Sequence, residues 1–331
     1  MRKYAVVFVH GLAKKPPEEK LKEIWLWGLE RSDTPRPFDG KNLGIALDVQ
    51  GVASFFNYYA DVFYGDSYET EFDSYYESES NAVVQKQNLV QVVGELAVPV
   101  PATAEETAFL AELERKMSEA PTPENPPNLE SLPAAQEAAE FEIASWLPRP
   151  VKEAVIKKAA MEAYYYLFDK EYVRSSDGAK FQVRQELRNR LIAKIKQAKL
   201  NAEKVVLVTH SMGTMIAYDV IRNCEDCPTV DVLFTLGSPL GITEVQEQLS
   251  PNHTRHVDFP PALRRWINVY DPLDPVCGAD PKMTDYAPYE DRKVEDVRES
   301  NWGSWRHTIT HYFAGKQFRA LLAQALELKL K

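Results

Sequence analysis

Three cysteines in 331 residues are too few for a disulfide scaffold. Positive charge is in deficit: 39 Lys and Arg stand against 49 Asp and Glu, net -10. That is the wrong sign for the basic footprint of a general nucleic-acid binder. No run approaches the 18 apolar residues of a membrane span. The opening apolar stretch, Tyr4 to Val9, is too short for a signal-peptide core and no small-residue cleavage site follows it. The cytoplasm is therefore the expected location, with peripheral membrane contact left open. Histidine is also scarce, with six in the chain, so their positions carry weight.

What is present is the composition of a folded soluble protein, 44% hydrophobic and 27% charged. The length suits two domains, or one large core with a substantial insertion. Two small clusters raise metal or redox chemistry. Cys224 and Cys227 form a CxxC, but the acids Glu225 and Asp226 between them oppose a lowered thiol pKa. His253, His256 and Asp258 have zinc-ligand chemistry. They lie in a proline-flanked stretch that reads as a polar loop. No metal and no organic cofactor is expected.

Residues 4–9 read as a valine-rich strand buried on both faces, followed at once by His10-Gly11. A helix is expected over about 18–31, and a short strand over 58–64. The stretch 66–79 holds six acids and no base, the pattern of a solvated loop or helix face. Helices follow at 103–120, where Thr103 and Glu106 have capping-box spacing, and at 134–146 and 151–170, with a proline-rich loop over 121–133. Residues 66–180 thus form a mostly helical insertion without a clear strand, a cap or lid candidate. The core is 1–65 and 181–331. Beyond the insertion come a helix at 181–199, strands at 204–209, 230–236, 266–270 and 294–298, and a terminal helix at 312–330. Strand–helix alternation predicts an α/β fold with a mostly parallel sheet covered by helices, its sites at the carboxyl ends of the strands.

The most informative segment is Val205 to Gly213, in which a buried strand ends, a serine appears and a helix begins. In a nucleophile elbow such a serine sits on a strained turn with its hydroxyl presented. Gly213 fills one of the two small flanking positions, and Thr209 the other, where glycine is usual. The competing reading has Ser211 simply capping the helix. The turn after the first strand can bring the Leu12 backbone N–H beside that of Met212, as an oxyanion hole. His10 would then orient the loop, and His210 would pack against its neighbours. After the strand at 266–270, Asp274 suits the carboxylate that orients an imidazole, with Asp271 as the alternative. His307 suits the general base, with His311 as the alternative.

Together these strings resemble the α/β-hydrolase superfamily, in its lipase- or esterase-like branch. They are Phe8-Val-His-Gly11, Thr209-His-Ser-Met-Gly213, Thr235-Leu-Gly-Ser-Pro-Leu240, Asn268 to Val276 and His307 to Tyr312. The resemblance covers about 1–64 and 185–331. It implies an α/β-hydrolase fold with Ser211 as nucleophile, Asp274 as acid, His307 as base, and Leu12 and Met212 as oxyanion donors. It also implies a structural turn at Gly237-Ser238-Pro239. The expected activity is hydrolysis of carboxylic esters, including lipid or acyl esters, with a small-molecule ester or acyl substrate and no cofactor. A thioesterase or amidase would use the same triad. A non-catalytic scaffold binding a protein partner through the insertion is the alternative from another class. The aromatics Tyr58, Tyr59, Phe63, Tyr64, Tyr75, Tyr76, Tyr164 to Tyr166 and Phe168 either line an acyl pocket or join insertion to core.

Overall fold

The computed structural model describes residues 1–11, 15–32, 43–65, 101–119, 149–277, 280–301 and 306–328. Its centre is a six-stranded sheet. β1 (Arg2–Val9), β2 (Ala53–Asn57), β5 (Ala202–His210), β6 (Val230–Leu236), β7 (Leu263–Tyr270) and β8 (Glu295–Arg298) lie in the order β2-β1-β5-β6-β7-β8. Every neighbouring pair is parallel. This is the expected mostly parallel α/β architecture, consistent with the resemblance to α/β-hydrolases. The chain runs from β1 out to β2 on one side and then returns past β1 to β5 on the other. The carboxyl ends of β1 and β5 therefore flank a crevice where the strand order reverses, the place where open parallel sheets bind ligands.

The strands are apolar on both faces because helices cover both. Ala5, Val7, Val9, Val205 and Leu207 face one layer, and Val6, Phe8, Val206 and Val208 the other. On the second side lie α1 (Glu18–Glu30), α8 (Ile309–Ala314) and α9 (Lys316–Ala325), which bring Trp25, Phe313 and Phe318 onto Phe8 and Phe234. On the first side lie α5 (Val183–Asn201) and α6 (Met212–Asn223), with α7 (Thr243–Leu249) beside them.

The described part of the insertion belongs to that first core. α3 (Ala104–Glu119) and α4 (Arg149–Leu167) contribute Phe109, Leu113, Met117, Ile156, Ala160 and Tyr164 to the same apolar cluster as α5 and α6. The α3 start carries the expected Thr103 cap, whose Oγ1 accepts the Glu106 N–H at 3.2 Å. The Glu106 carboxylate reaches one residue further back than a standard box, to the Ala102 N–H. Lys170 and Tyr164 also bond it, holding its pKa down to about 2.

Three expectations need correction. Residues 58–64 are not a strand: β2 ends at Asn57 and α2 (Ala60–Tyr64) is a short helix. The turn between them is forced by Tyr59, whose backbone N–H goes to His10 and not to a ladder. The insertion does contain strand. β3 (Glu171–Val173) and β4 (Lys180–Gln182) form an antiparallel hairpin, too short to show alternation and held by buried Tyr172. The terminal helix is two helices broken at Gly315. There the Glu299 carboxylate accepts the Gln317 and Phe318 N–H groups and caps α9. The expected helix at 134–146, the loop at 121–133, the acidic stretch 66–79, Tyr75 and Tyr76 lie outside the described residues. No helix among the described residues is long and apolar enough to cross a membrane.

Candidate active site

Ser211 stands between β5 and α6 with φ 55 and ψ -129, a conformation that L-residues avoid at a cost of about 1–3 kcal/mol. Its side chain makes no capping hydrogen bond to the helix, so the capping reading does not hold. The backbone is braced instead. Its N–H donates to the Leu236 carbonyl at 3.1 Å. Its carbonyl accepts both the N–H of Thr214 at 2.9 Å and the Thr214 hydroxyl at 2.6 Å. Because the Thr214 proton is committed there, the Ser238 hydroxyl, 2.7 Å away, must donate to Thr214. Ser238 then accepts the Leu240 N–H. Sequence reasoning missed both hydroxyls, whose role depends on long-range placement.

The two small positions are explained by what passes them. A Cβ on Gly213 would lie 2.5 Å from the His10 carbonyl oxygen and 2.6 Å from that of Val9. Backbone atoms cannot yield as a side-chain tip can. Gly213→Ala is therefore expected to cost about 1–3 kcal/mol of stability, as overpacking does, and to lower any ester turnover by displacing the start of α6. Thermal denaturation and turnover check this together, and an unchanged variant would contradict the packing argument. Thr209 fits the other position because its hydroxyl donates to the Phe234 carbonyl at 2.7 Å, so the bulkier residue is bonded and not merely tolerated.

The Asp274–His307 pair lies beside the same turn. His307 Nδ1 is 3.0 and 2.9 Å from the two carboxylate oxygens of fully buried Asp274. One oxygen also accepts the Val276 N–H at 2.8 Å and the other the Tyr312 hydroxyl at 2.7 Å. With Nδ1 bonded to a carboxylate it carries a proton, which leaves Nε2 as the basic atom. Gly237, at φ 53, passes so close that a Cβ there would lie 2.7 Å from Asp274 Oδ2 and 3.0 Å from His307 Nδ1. The Gly237-Ser238-Pro239 turn thus borders the pair. Gly11 borders the serine in the same way, its Cβ direction ending 2.6 Å from Ser211 Cβ and 3.2 Å from Oγ.

The alternatives are placed elsewhere. The Asp271 carboxylate accepts the Leu273 and Asn301 N–H groups and faces the Arg306 guanidinium, bracing the loops on either side. His311 is buried in α8. Burial, followed by the charges of Arg31 and Arg306, pushes its pKa well below the ordinary value. Its neighbour Tyr312 is the residue that reaches Asp274, and it also accepts the Asp271 N–H at 3.2 Å. Sequence inspection passed over Tyr312, which carries no catalytic signature of its own.

Of the two candidate oxyanion donors, Met212 is the first residue of α6, whose opening N–H groups lack intrahelical acceptors. Leu12 lies outside the described residues. The start of its loop is held by His10. The His10 Nε2 accepts the Tyr59 N–H at 3.0 Å, Nδ1 donates to the Gly11 carbonyl at 2.7 Å, and the ring stacks on Tyr59 at 3.9 Å. Burial, then the charge of Lys15, pushes the His10 pKa down to about 3, so the ring stays neutral and both bonds persist. The Tyr59 hydroxyl completes the clamp by donating to the His10 carbonyl at 2.6 Å.

The aromatic set of the insertion packs. Phe63, Tyr165 and Tyr172 lie within 6.4 Å of one another, and Phe109 and Tyr164 flank Phe168. Their described members join insertion to core. Among the described residues no three His, Cys, Asp or Glu side chains are placed to hold a metal ion. The Asp258 carboxylate is held by the Arg222 fork instead. Burial, then Cys224 and Asp226, pushes the Cys227 thiol up to about 12, so it is no ready thiolate.

Residues 131–256 match the model of a family described as a PGAP1-like alpha/beta domain. The matched stretch begins inside the insertion and runs on through α4, α5, β5, α6, β6 and α7. It contains Ser211 and stops short of Asp274 and His307. No curated protein matches the chain.

Proposed function

Since the chain carries a PGAP1-like alpha/beta domain, a member of the α/β-hydrolase superfamily, we propose that it is a serine hydrolase cleaving carboxylic esters. Ser211 is the nucleophile, His307 the general base and Asp274 the orienting acid. The observation that carries this reading is the strained, uncapped Ser211 turn on the same rim as the Asp274–His307 pair.

His307 Nε2 accepts the Ser211 proton as Oγ attacks the ester carbonyl. The tetrahedral oxyanion is met by the Met212 N–H and, from the loop after β1, by that of Leu12. One donor of this kind is typically worth about 3 kcal/mol. The imidazolium, steadied by Asp274, returns its proton to the departing alcohol. Water then repeats the sequence on the acyl-enzyme. The substrate is a small ester or acyl compound, lipid esters included. Thioesters and amides are open to the same triad.

A fluorophosphonate probe is expected to label the wild-type protein on Ser211 and to leave Ser211→Ala unlabelled. p-Nitrophenyl esters of increasing chain length should be hydrolysed by the wild type alone, with a loss in kcat of about 10⁶ in the variant. Folded wild-type protein that takes up no probe would sink the catalytic reading and favour a scaffold that binds a partner through its insertion.

A further inference from the structure

Beyond the triad, His210 occupies a position that the proposed chemistry does not itself require. It is the last residue of β5, adjacent to Ser211, and is buried. Its Nε2 lies 2.8 Å from the main-chain carbonyl oxygen of His307, 97 positions further along. A carbonyl can only accept, so Nε2 carries the proton and the ring is a donor. The ring also stacks on the imidazole of His307, with centroids 4.4 Å apart and planes 28° from parallel. Trp25 closes another side edge-on at 6.4 Å, Tyr312 stands at 6.1 Å, and the Nδ1 edge faces Gly11. Wedged in this way, the imidazole has little freedom to rotate.

The consequence lies in how His307 is held. Asp274 secures its side chain through Nδ1. The carboxylate alone does not set the height of the loop backbone relative to Ser211. The backbone is fixed nearby by Asn301, which bonds the Arg306 carbonyl at 2.6 Å, and by Arg306 facing Asp271. The His210 bond ties the His307 backbone to the strand that presents the serine.

We infer that His210 is a positioning residue: its Nε2–H bond to the His307 carbonyl sets the register between the serine turn and the loop bearing the base. The inference rests on the reading of Ser211 and His307 as nucleophile and base. Burial keeps the donor neutral, helped by the charges of His307 and Lys15, which push its pKa well below the ordinary value. The charged or titratable groups around it are His307 from the loop, Lys15 and His10 from the β1 side, and Tyr312 from α8.

The competing role is plain packing, and three variants of the full chain separate the two. His210→Phe keeps the ring but loses the donor. Its kcat on a p-nitrophenyl ester is expected to fall about 10- to 100-fold with KM nearly unchanged, the scale of a misplaced catalytic group. His210→Gln places an amide N–H near the former Nε2 and should recover most of that loss. His210→Asn, too short to reach, should resemble the phenylalanine variant and replaces it if that variant fails to fold. Equal activity in the Phe and Gln variants, or wild-type activity in the Phe variant, would overturn the inference. Nitrogen-15 NMR gives a readout independent of turnover: His210 should show a single neutral tautomer protonated at Nε2 from pH 5 to 9. A proton at Nδ1 would overturn the bond itself. If wild-type protein takes no fluorophosphonate label while the Nε2 tautomer is seen, the hydrolase reading has failed and the His210 contact has not. The positioning role, which rests on that reading, would fall with it.

Discussion

Asp274→Asn should lower kcat for ester hydrolysis by about 10⁴, with KM little changed. At about 1.4 kcal/mol per decade this is roughly 5.5 kcal/mol of lost transition-state stabilisation. The size follows from the bonds around the carboxylate. One oxygen accepts the Val276 N–H, which cannot accept in return, so the amide of an asparagine must keep its oxygen on that side. Its NH2 then faces Tyr312 and the nearer side of His307, where Oδ2 had accepted from both, and Nδ1 keeps as its one acceptor an uncharged amide oxygen at 3.0 Å. The Tyr312 hydroxyl can rotate to accept. The imidazole can accept at Nδ1 only by moving its proton to Nε2, the atom that must be free to take the serine proton. The variant should fold normally and carry the wrong tautomer. Steady-state kinetics on a soluble ester, with circular dichroism as a folding control, checks this. A fall of less than about tenfold would show that Asp274 is not the orienting acid.

The second large effect concerns stability. Asp219→Ala should destabilise the protein by about 3–5 kcal/mol, the usual result of leaving buried partners without their counter-charge. Asp219, in α6, is fully buried. It accepts two bonds from each of Arg184 and Arg188 on α5, at 2.7–3.0 Å, together with the Tyr166 hydroxyl from α4 at 2.7 Å and the Asn223 amide. Burial alone would raise its pKa, but the two guanidiniums more than offset this and hold it well below the ordinary carboxylate value. Arg184 and Arg188 keep 16% and 22% of their side-chain surface exposed, so water offsets part of the loss and the lower end of the range is expected. The melting temperature should fall by about 4 °C or more. A fall under about 3 °C would show that both guanidiniums re-solvate freely. The same network pins α4, from the insertion, to the helix that follows the serine.

The residues of the site were legible in the sequence to different depths. The elbow was legible because its signal is local: a valine-rich strand, Ser211 and Gly213 fall within a few residues, and each is a type the turn requires. Gly213 could have been predicted as a close approach, though not that the Val9 and His10 carbonyls are what approach it. Asp274 and His307 were legible as residue types at strand ends. The choice of Asp274 over Asp271 for contact with His307 was not, because both follow the same strand and only the fold shows Asp271 bonded to Asn301 and Arg306. The bonds of Tyr312 and His210 left no signal, since their partners lie 38 and 97 positions away.

The elements show the same division. β1, β5 and β6 were read correctly because strands buried on both faces are continuous apolar runs whatever surrounds them. Residues 58–64 misled because tyrosine and valine favour strands, while the Tyr59 N–H is claimed by His10, just past the end of β1. The break at Gly315 was missed because the group that caps α9, Glu299, belongs to a distant segment. The sequence by itself determined the parallel α/β class and the strand that ends in a serine. Those follow from periodicity, composition and near neighbours. Only the tertiary structure decided that Asp274 meets His307, that the described insertion helices join the main core, and that His210 bonds the His307 carbonyl. Each of these joins groups far apart in the chain, and their proximity is a product of the whole sheet and its packing.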